Sequence, residues 1–126
     1  MTLRKRRPGL VYPTRDDWHY VGETDEPAFE DSWVNEVAGQ AMAFRIRESG
    51  IVDIHGAVTG GGTGSTVFTL PAGYRPATES TIPAVMSNNA SCRVVIAPEG
   101  WVMPTFSSGA TVYMSLQMFL DTPVIT

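Results

Sequence analysis

The chain has 126 residues, 43% of them hydrophobic and 17% charged, and nine basic against thirteen acidic side chains leave a net charge of −4. That length predicts a single domain with one core, and the ordinary apolar content excludes a chain disordered throughout. No apolar run is long enough to cross a membrane, no secretory apolar region follows the basic start, and the single Cys92 excludes an intrachain disulfide.

Residues 1–17 read as a basic N-terminal arm. Arg4, Lys5, Arg6 and Arg7 supply charge, and Leu10, Val11 and Tyr12 supply apolar anchors. Such a cluster is able to contact phosphates. No aromatic residue interleaves with it, however, and the chain as a whole is acidic, so nucleic acid is not the expected partner. The arm reads instead as an attachment segment that docks on a neighbouring subunit.

Residues 18–39 form an acidic, aromatic lead-in. Glu23, Asp25, Glu26, Glu30, Asp31 and Glu36 occur there without any Lys or Arg. The stretch from Pro27 to Val37 has room for one helical turn, while Trp18, Tyr20, Phe29 and Trp33 look like aromatic anchors.

From residue 40 to 126 the pattern has period two, which predicts strands. Met42, Phe44 and Ile46 alternate with Ala43, Arg45 and Arg47; after Ser49-Gly50, Val52, Ile54 and Val58 continue the alternation, so the two segments form a hairpin. The four glycines of Gly60 to Gly64 predict a loop. Thr66 to Leu70 is the next strand, stopped by Pro71 and turned at Gly73 so that Tyr74 and Arg75 are displayed at a rigid corner before Pro76. Ile82 to Val85 predicts a short strand at an edge, because Pro83 lacks a ladder donor.

Asn88-Asn89 suits a turn with positive φ, after which Cys92, Val94 and Ile96 alternate. Pro98-Glu99-Gly100 turns the chain into Trp101-Val102-Met103, and Val112, Met114, Leu116, Met118 and Leu120 mark the clearest strand. Its other face, Tyr113, Ser115, Gln117 and Phe119, is amphipathic enough for a subunit contact. About seven short strands separated by Gly and Pro predict an all-β antiparallel sandwich or jelly-roll-like domain preceded by an extended arm.

Catalytic and metal patterns are weak. His19 and His55 stand 36 positions apart, no Cys/His ligand spacing or Gly-x-Ser-x-Gly elbow occurs, and the Gly-rich loop lacks the lysine and helix of a phosphate loop. His55 beside Asp53 is the one pair that resembles an acid–base dyad or metal pair; its plain reading is a solvated strand face. His19, between two aromatics, reads as a packing or hydrogen-bonding side chain. No enzyme, metal or cofactor is expected. Turn-borne Tyr74, Arg75, Asn88, Asn89 and Trp101 are the binding candidates, since rigid β scaffolds carry recognition on loops. For Tyr74 and Arg75 the competing reading is structural: Tyr74 folds back to cap the end of the barrel and Arg75 pairs with an acidic neighbour.

The segment Leu70-Pro71-Ala72-Gly73-Tyr74-Arg75-Pro76 resembles one that recurs in tail-tip, tail-fibre and minor tail proteins of tailed bacteriophages. The lead-in Trp18-His19-Tyr20-Val21-Gly22, Glu26-Pro27-Ala28-Phe29 and Ser32-Trp33-Val34-Asn35, the strand at Phe44-Arg45, Ile51 to Gly56, the Gly-rich loop and the closing Leu116-Gln117-Met118-Phe119 follow the order of those modules. The resemblance spans about residues 18 to 120. It implies a virion structural protein of the tail tip, baseplate or tail fibre, assembled in the host cytoplasm and commonly a homotrimer. Its implied partners are other tail proteins and a host cell-surface saccharide. Such modules often end a long fibre; here only about 17 residues precede the module, so attachment is expected through the arm. A capsid decoration protein, a lectin-like module and a cell-wall-directed enzyme are the alternatives.

Overall fold

The structure is a computed structural model that describes residues 17–47 and 50–120. The attachment-arm residues Arg4, Lys5, Arg6, Arg7, Leu10 and Tyr12 lie outside the described residues.

The described chain is all-β. Nine antiparallel strands run in chain order: β1 His19–Tyr20, β2 Val34–Asn35, β3 Ala43–Arg47, β4 Ile51–Thr59, β5 Phe68–Thr69, β6 Ser80–Met86, β7 Ser91–Ile96, β8 Trp101–Phe106 and β9 Thr111–Phe119. They form one sheet in the order β1-β3-β4-β9-β6-β7-β8-β5, with β2 pairing β4 beyond the end of β3. The seven strands read from alternation correspond to β3 through β9. The two extra pairings, β1 and β2, lie in the lead-in and are two residues each. Between them the Pro27 to Val37 stretch makes turns rather than a helix, with Trp33 N–H donating to Glu30 O at 3.0 Å.

The spine is the β4–β9 ladder, which pairs nine residues from Ile51↔Phe119 to Thr59↔Thr111. Side chains alternate in strands, so this register places Val52, Ile54, Val58, Val112, Met114, Leu116 and Met118 on one face. All seven are buried in the core. Across the core they meet Phe68, Val94, Ile96 and Val102 from the β6-β7-β8-β5 half, because the sheet curls. Phe44 and Phe68 stack across it with ring centroids 5.5 Å apart.

The two halves of the sheet touch through few ladder pairs. β6 joins β9 only at Val85↔Tyr113 and Met86↔Val112, whereas it pairs β7 from Ser80 to Val85. Pro83 therefore sits on a stretch with a ladder partner on one side alone. That is the edge position its missing N–H requires. The turn residues behave as expected: Asn89 has φ 67° and Gly73 has φ 95°.

The Gly-rich loop has a packing role. Trp33 is 1% exposed, and its Nε1–H donates to Ser65 Oγ at 2.9 Å. A Cβ on Gly61 would lie 2.1 Å from the Trp33 indole, so only a bare backbone fits under the ring. At Gly62 an added Cβ would meet nothing within 4 Å. Gly61→Ala is therefore expected to destabilise by about 1–3 kcal/mol, the usual range for overpacking. Gly62→Ala should be near neutral. Paired thermal melts check this, at roughly 5 °C per kcal/mol for a domain of this size; equal melting points for the two variants would refute the Trp33 seat.

Candidate functional site

The corner at Leu70–Pro76 was the leading candidate, and the structure turns its displayed side chains inward. Pro71 O accepts from Tyr74 N at 3.1 Å, closing the turn. Arg75 Nε donates to Leu70 O at 2.8 Å, and Leu70 N donates to Gly100 O at 2.8 Å. Gly100 has φ 96°, and a Cβ there would lie 2.5 Å from Leu70 O and 2.8 Å from Arg75 Nε. The corner is thus clipped onto the Pro98-Glu99-Gly100 turn, and the Arg75 guanidinium forms part of the clip.

Tyr74 packs against the core. Its ring meets Phe44 edge-on at 5.1 Å and His19 at 5.5 Å, and its hydroxyl lies 3.0 Å from His19 Nε2. His19 Nδ1 lies 2.9 Å from Glu26 Oε2. A carboxylate only accepts, so Nδ1 carries the hydrogen. In the neutral ring Nε2 then accepts from the Tyr74 hydroxyl. The chain Tyr74–His19–Glu26 could shuttle a proton in principle, but its ring is stacked on Phe44 at 5.1 Å and its effect is to latch the lead-in to the corner. Tyr74 thus packs as a structural side chain, while Arg75, expected to meet an acidic neighbour, donates to the backbone carbonyl of Leu70.

The remaining candidates do not converge. Asn88 Nδ2 donates to Ser108 Oγ at 3.1 Å, and its Oδ1 accepts from Ala90 N at 3.1 Å, so it shapes the turn that Asn89 completes. Trp101 opens β8 on the outward face opposite Thr69 and is 44% exposed. It belongs to the other end of the β6-β7-β8-β5 half from Asn88 and Asn89.

His55 has a setting that alternation alone did not reveal. Trp18 meets its ring at 4.0 Å, and the Arg45 guanidinium carbon lies 4.2 Å from the Trp18 ring centre. Asp53 Oδ2 lies 3.4 Å from Arg45 Nε and 2.9 Å from Arg47 Nε. Burial, opposed by its own backbone hydrogen bond, lowers the His55 pKa below 6.5; nearby Arg45 lowers it further and Asp53 raises it. Among the described residues no group of three or more His, Cys, Asp or Glu is placed to hold a metal ion. Cys92 is buried, and burial pushes its thiol pKa up, which fits a packing role.

No family model, curated protein or solved structure matches the chain.

Two outcomes follow from these contacts. In a double-mutant cycle of Tyr74→Phe and His19→Phe, followed by urea unfolding, the coupling is expected to be about 0.5–1.5 kcal/mol, the net worth of one hydrogen bond. Simple additivity would remove the latch. For His55 the folded pKa lies below the unfolded one, so the unfolded chain binds more protons in the interval between them. Its contribution is complete above pH 6.5 and is lost as pH falls through that value towards the folded pKa. Thermal melts from pH 7.5 down to pH 5 should therefore show a steeper loss of stability for the native chain than for His55→Gln.

Proposed function

We propose that the chain is a bacteriophage virion structural protein of the tail tip, baseplate or tail fibre, a multimeric β module that contributes to host-surface attachment. The observation that carries this reading is the ordered series of segments, from Trp18 through the Leu70–Pro76 corner to Leu116–Phe119, that resembles tail proteins. The contacts make that series physically coherent. His19 of the lead-in reaches Tyr74 of the corner, and Trp33 of the lead-in is seated on Gly61 of the Gly-rich loop. Segments far apart in the chain thus form one framework, whose letters are explained by packing rather than by a ligand.

Multimerisation is supported by outward apolar side chains on the β6-β7-β8-β5 half of the sheet, where Val85 and Trp101 are 49% and 44% exposed. Attachment to other tail proteins falls to the arm with Arg4, Lys5, Arg6, Arg7, Leu10 and Tyr12, and the virion tail is the location.

Immunogold labelling of intact particles is the decisive measurement. Label at the tail end is the expected result; label on the capsid shell, or none on the particle, overturns the reading. Mass measurement in solution should give three times the 13.7 kDa chain. Deleting residues 2–15 should abolish incorporation while leaving the β domain folded.

A further inference from the structure

The outward face of the half-sheet β1-β3-β4-β9 has rows of side chains fixed by its registers. One row runs Arg45, Asp53, Gln117 and the next Ala43, His55, Ser115. Tyr20, opposite Ala43, extends the second row onto β1, and Trp18 lies just before that strand. Beyond the polar rows stand Tyr113 on one side and Arg47, Ile51 and Phe119 on the other. From β1 to β9 this shelf is three strand spacings wide, about 14 Å. Its floor is polar and its rim aromatic.

The charges on the floor are unusual for this protein. Arg45, Arg47, Arg75 and Arg93 are the basic side chains among the described residues, and acidic ones outnumber them. Two of the four arginines stand here and share one carboxylate. Both approach Asp53 through Nε, at 3.4 and 2.9 Å, and no hydrogen bond from their terminal amino groups is seen among the described residues. Arg47 Nε and His55 Nδ1 are buried without a well-formed hydrogen bond. Asp53, only 9% exposed, lies against both guanidiniums and balances one of their two positive charges. The group of two arginines and one carboxylate keeps a net positive charge beside an aromatic ring, Trp18, that stays partly open to solvent.

We infer that this shelf binds an anionic saccharide, with its carboxylate or phosphate on the terminal amino groups of Arg45 and Arg47 and a sugar ring against the part of Trp18 left open by Arg45 and His55, while Gln117 and Ser115 take hydroxyl groups. The charge complementarity is what selects the ligand: guanidinium forks match carboxylate and phosphate oxygens, and a sugar's apolar face stacks on an indole. The inference deepens the attachment reading and rests on it for its biological setting, but binding by the isolated full chain is measured independently of where the protein sits in a particle.

The test is calorimetric titration of the full chain with a glucuronate-bearing tetrasaccharide, with mannose 6-phosphate and with neutral cellotetraose. Binding of at least one anionic sugar, and weaker or no binding of the neutral one, is expected; the tighter anionic arm identifies whether carboxylate or phosphate is the natural group. Arg45→Ala, Arg47→Ala and Trp18→Ala should each weaken it by about tenfold or more, as loss of a charge-assisted contact does. Arg93→Ala, on the other half-sheet, should change nothing. Gln117→Glu places a negative charge on the floor at an exposed position and should weaken binding without unfolding the domain. Failure of every probe to bind, equal affinity for cellotetraose, or binding indifferent to Arg45, Arg47 and Trp18 overturns the inference. Tail labelling with no sugar binding would remove the shelf and leave the tail reading standing; sugar binding without tail labelling would do the reverse.

Discussion

The nine-residue register between β4 and β9 is the constraint on which the rest of the structure depends. Side chains in a strand alternate with period two, so a slip of one residue would move every apolar side chain of both strands to the outer face. With Val52 opposite Met118 and Ile54 opposite Leu116, one side of the ladder becomes core and the other becomes the row containing Asp53 and Gln117. The β3–β4 hairpin propagates the same division, since Phe44 faces Ile54 and Arg45 faces Asp53. Core and shelf are two faces of one register.

A curled sheet has edges, and this one manages them with side chains as much as with ladders. At the β1 and β5 ends the chain is tied by Glu30 N donating to Val67 O, by Thr69 Oγ1 donating to Glu30 Oε2, and by the Tyr74–His19–Glu26 chain. Trp33 under the Gly-rich loop adds a large apolar anchor. These ties explain why the lead-in is rich in carboxylates: several accept hydrogen bonds from the body of the domain, as Asp31 does from Thr66 N and Glu36 from Thr111 Oγ1.

The strands β3, β4 and β6 to β9 are legible because each carries apolar residues at every second position, a signal that needs no partner to be read, and β5 because Pro71 stops the β-favouring run Thr66 to Leu70. The β1 and β2 pairings were not legible, since two residues have no period. They are strands only because Ala43, Phe44, Val58 and Thr59 stand opposite them. The Gly60 to Gly64 loop was recognised as a loop but not as the seat of Trp33, 28 positions before Gly61, because nothing local records such a contact. Tyr74 and Arg75 could be read either as display or as cap, and only the positions of His19 and Gly100 decide between the two. From alternation alone Arg45 and Arg47 are simply the polar face of a strand. The missed signal was pairwise: Arg-x-Arg on one strand of a hairpin and Asp-x-His on the other, brought together by the β3–β4 register.

Stability does not explain the Asp53 cluster. A buried ion pair loses hydration that its mutual attraction recovers only with good geometry, and apolar replacements of similar size are often neutral or favourable. Here the geometry is uneven, with one Nε at 3.4 Å and the other at 2.9 Å but poorly aligned for a hydrogen bond. A β-branched residue at position 53 would suit a strand centre at least as well. What the carboxylate does that an apolar residue would not is hold two guanidiniums side by side on a flat face beside Trp18. The arrangement fixes the direction of positive charge on that face, which is the feature the proposed saccharide binding rests on.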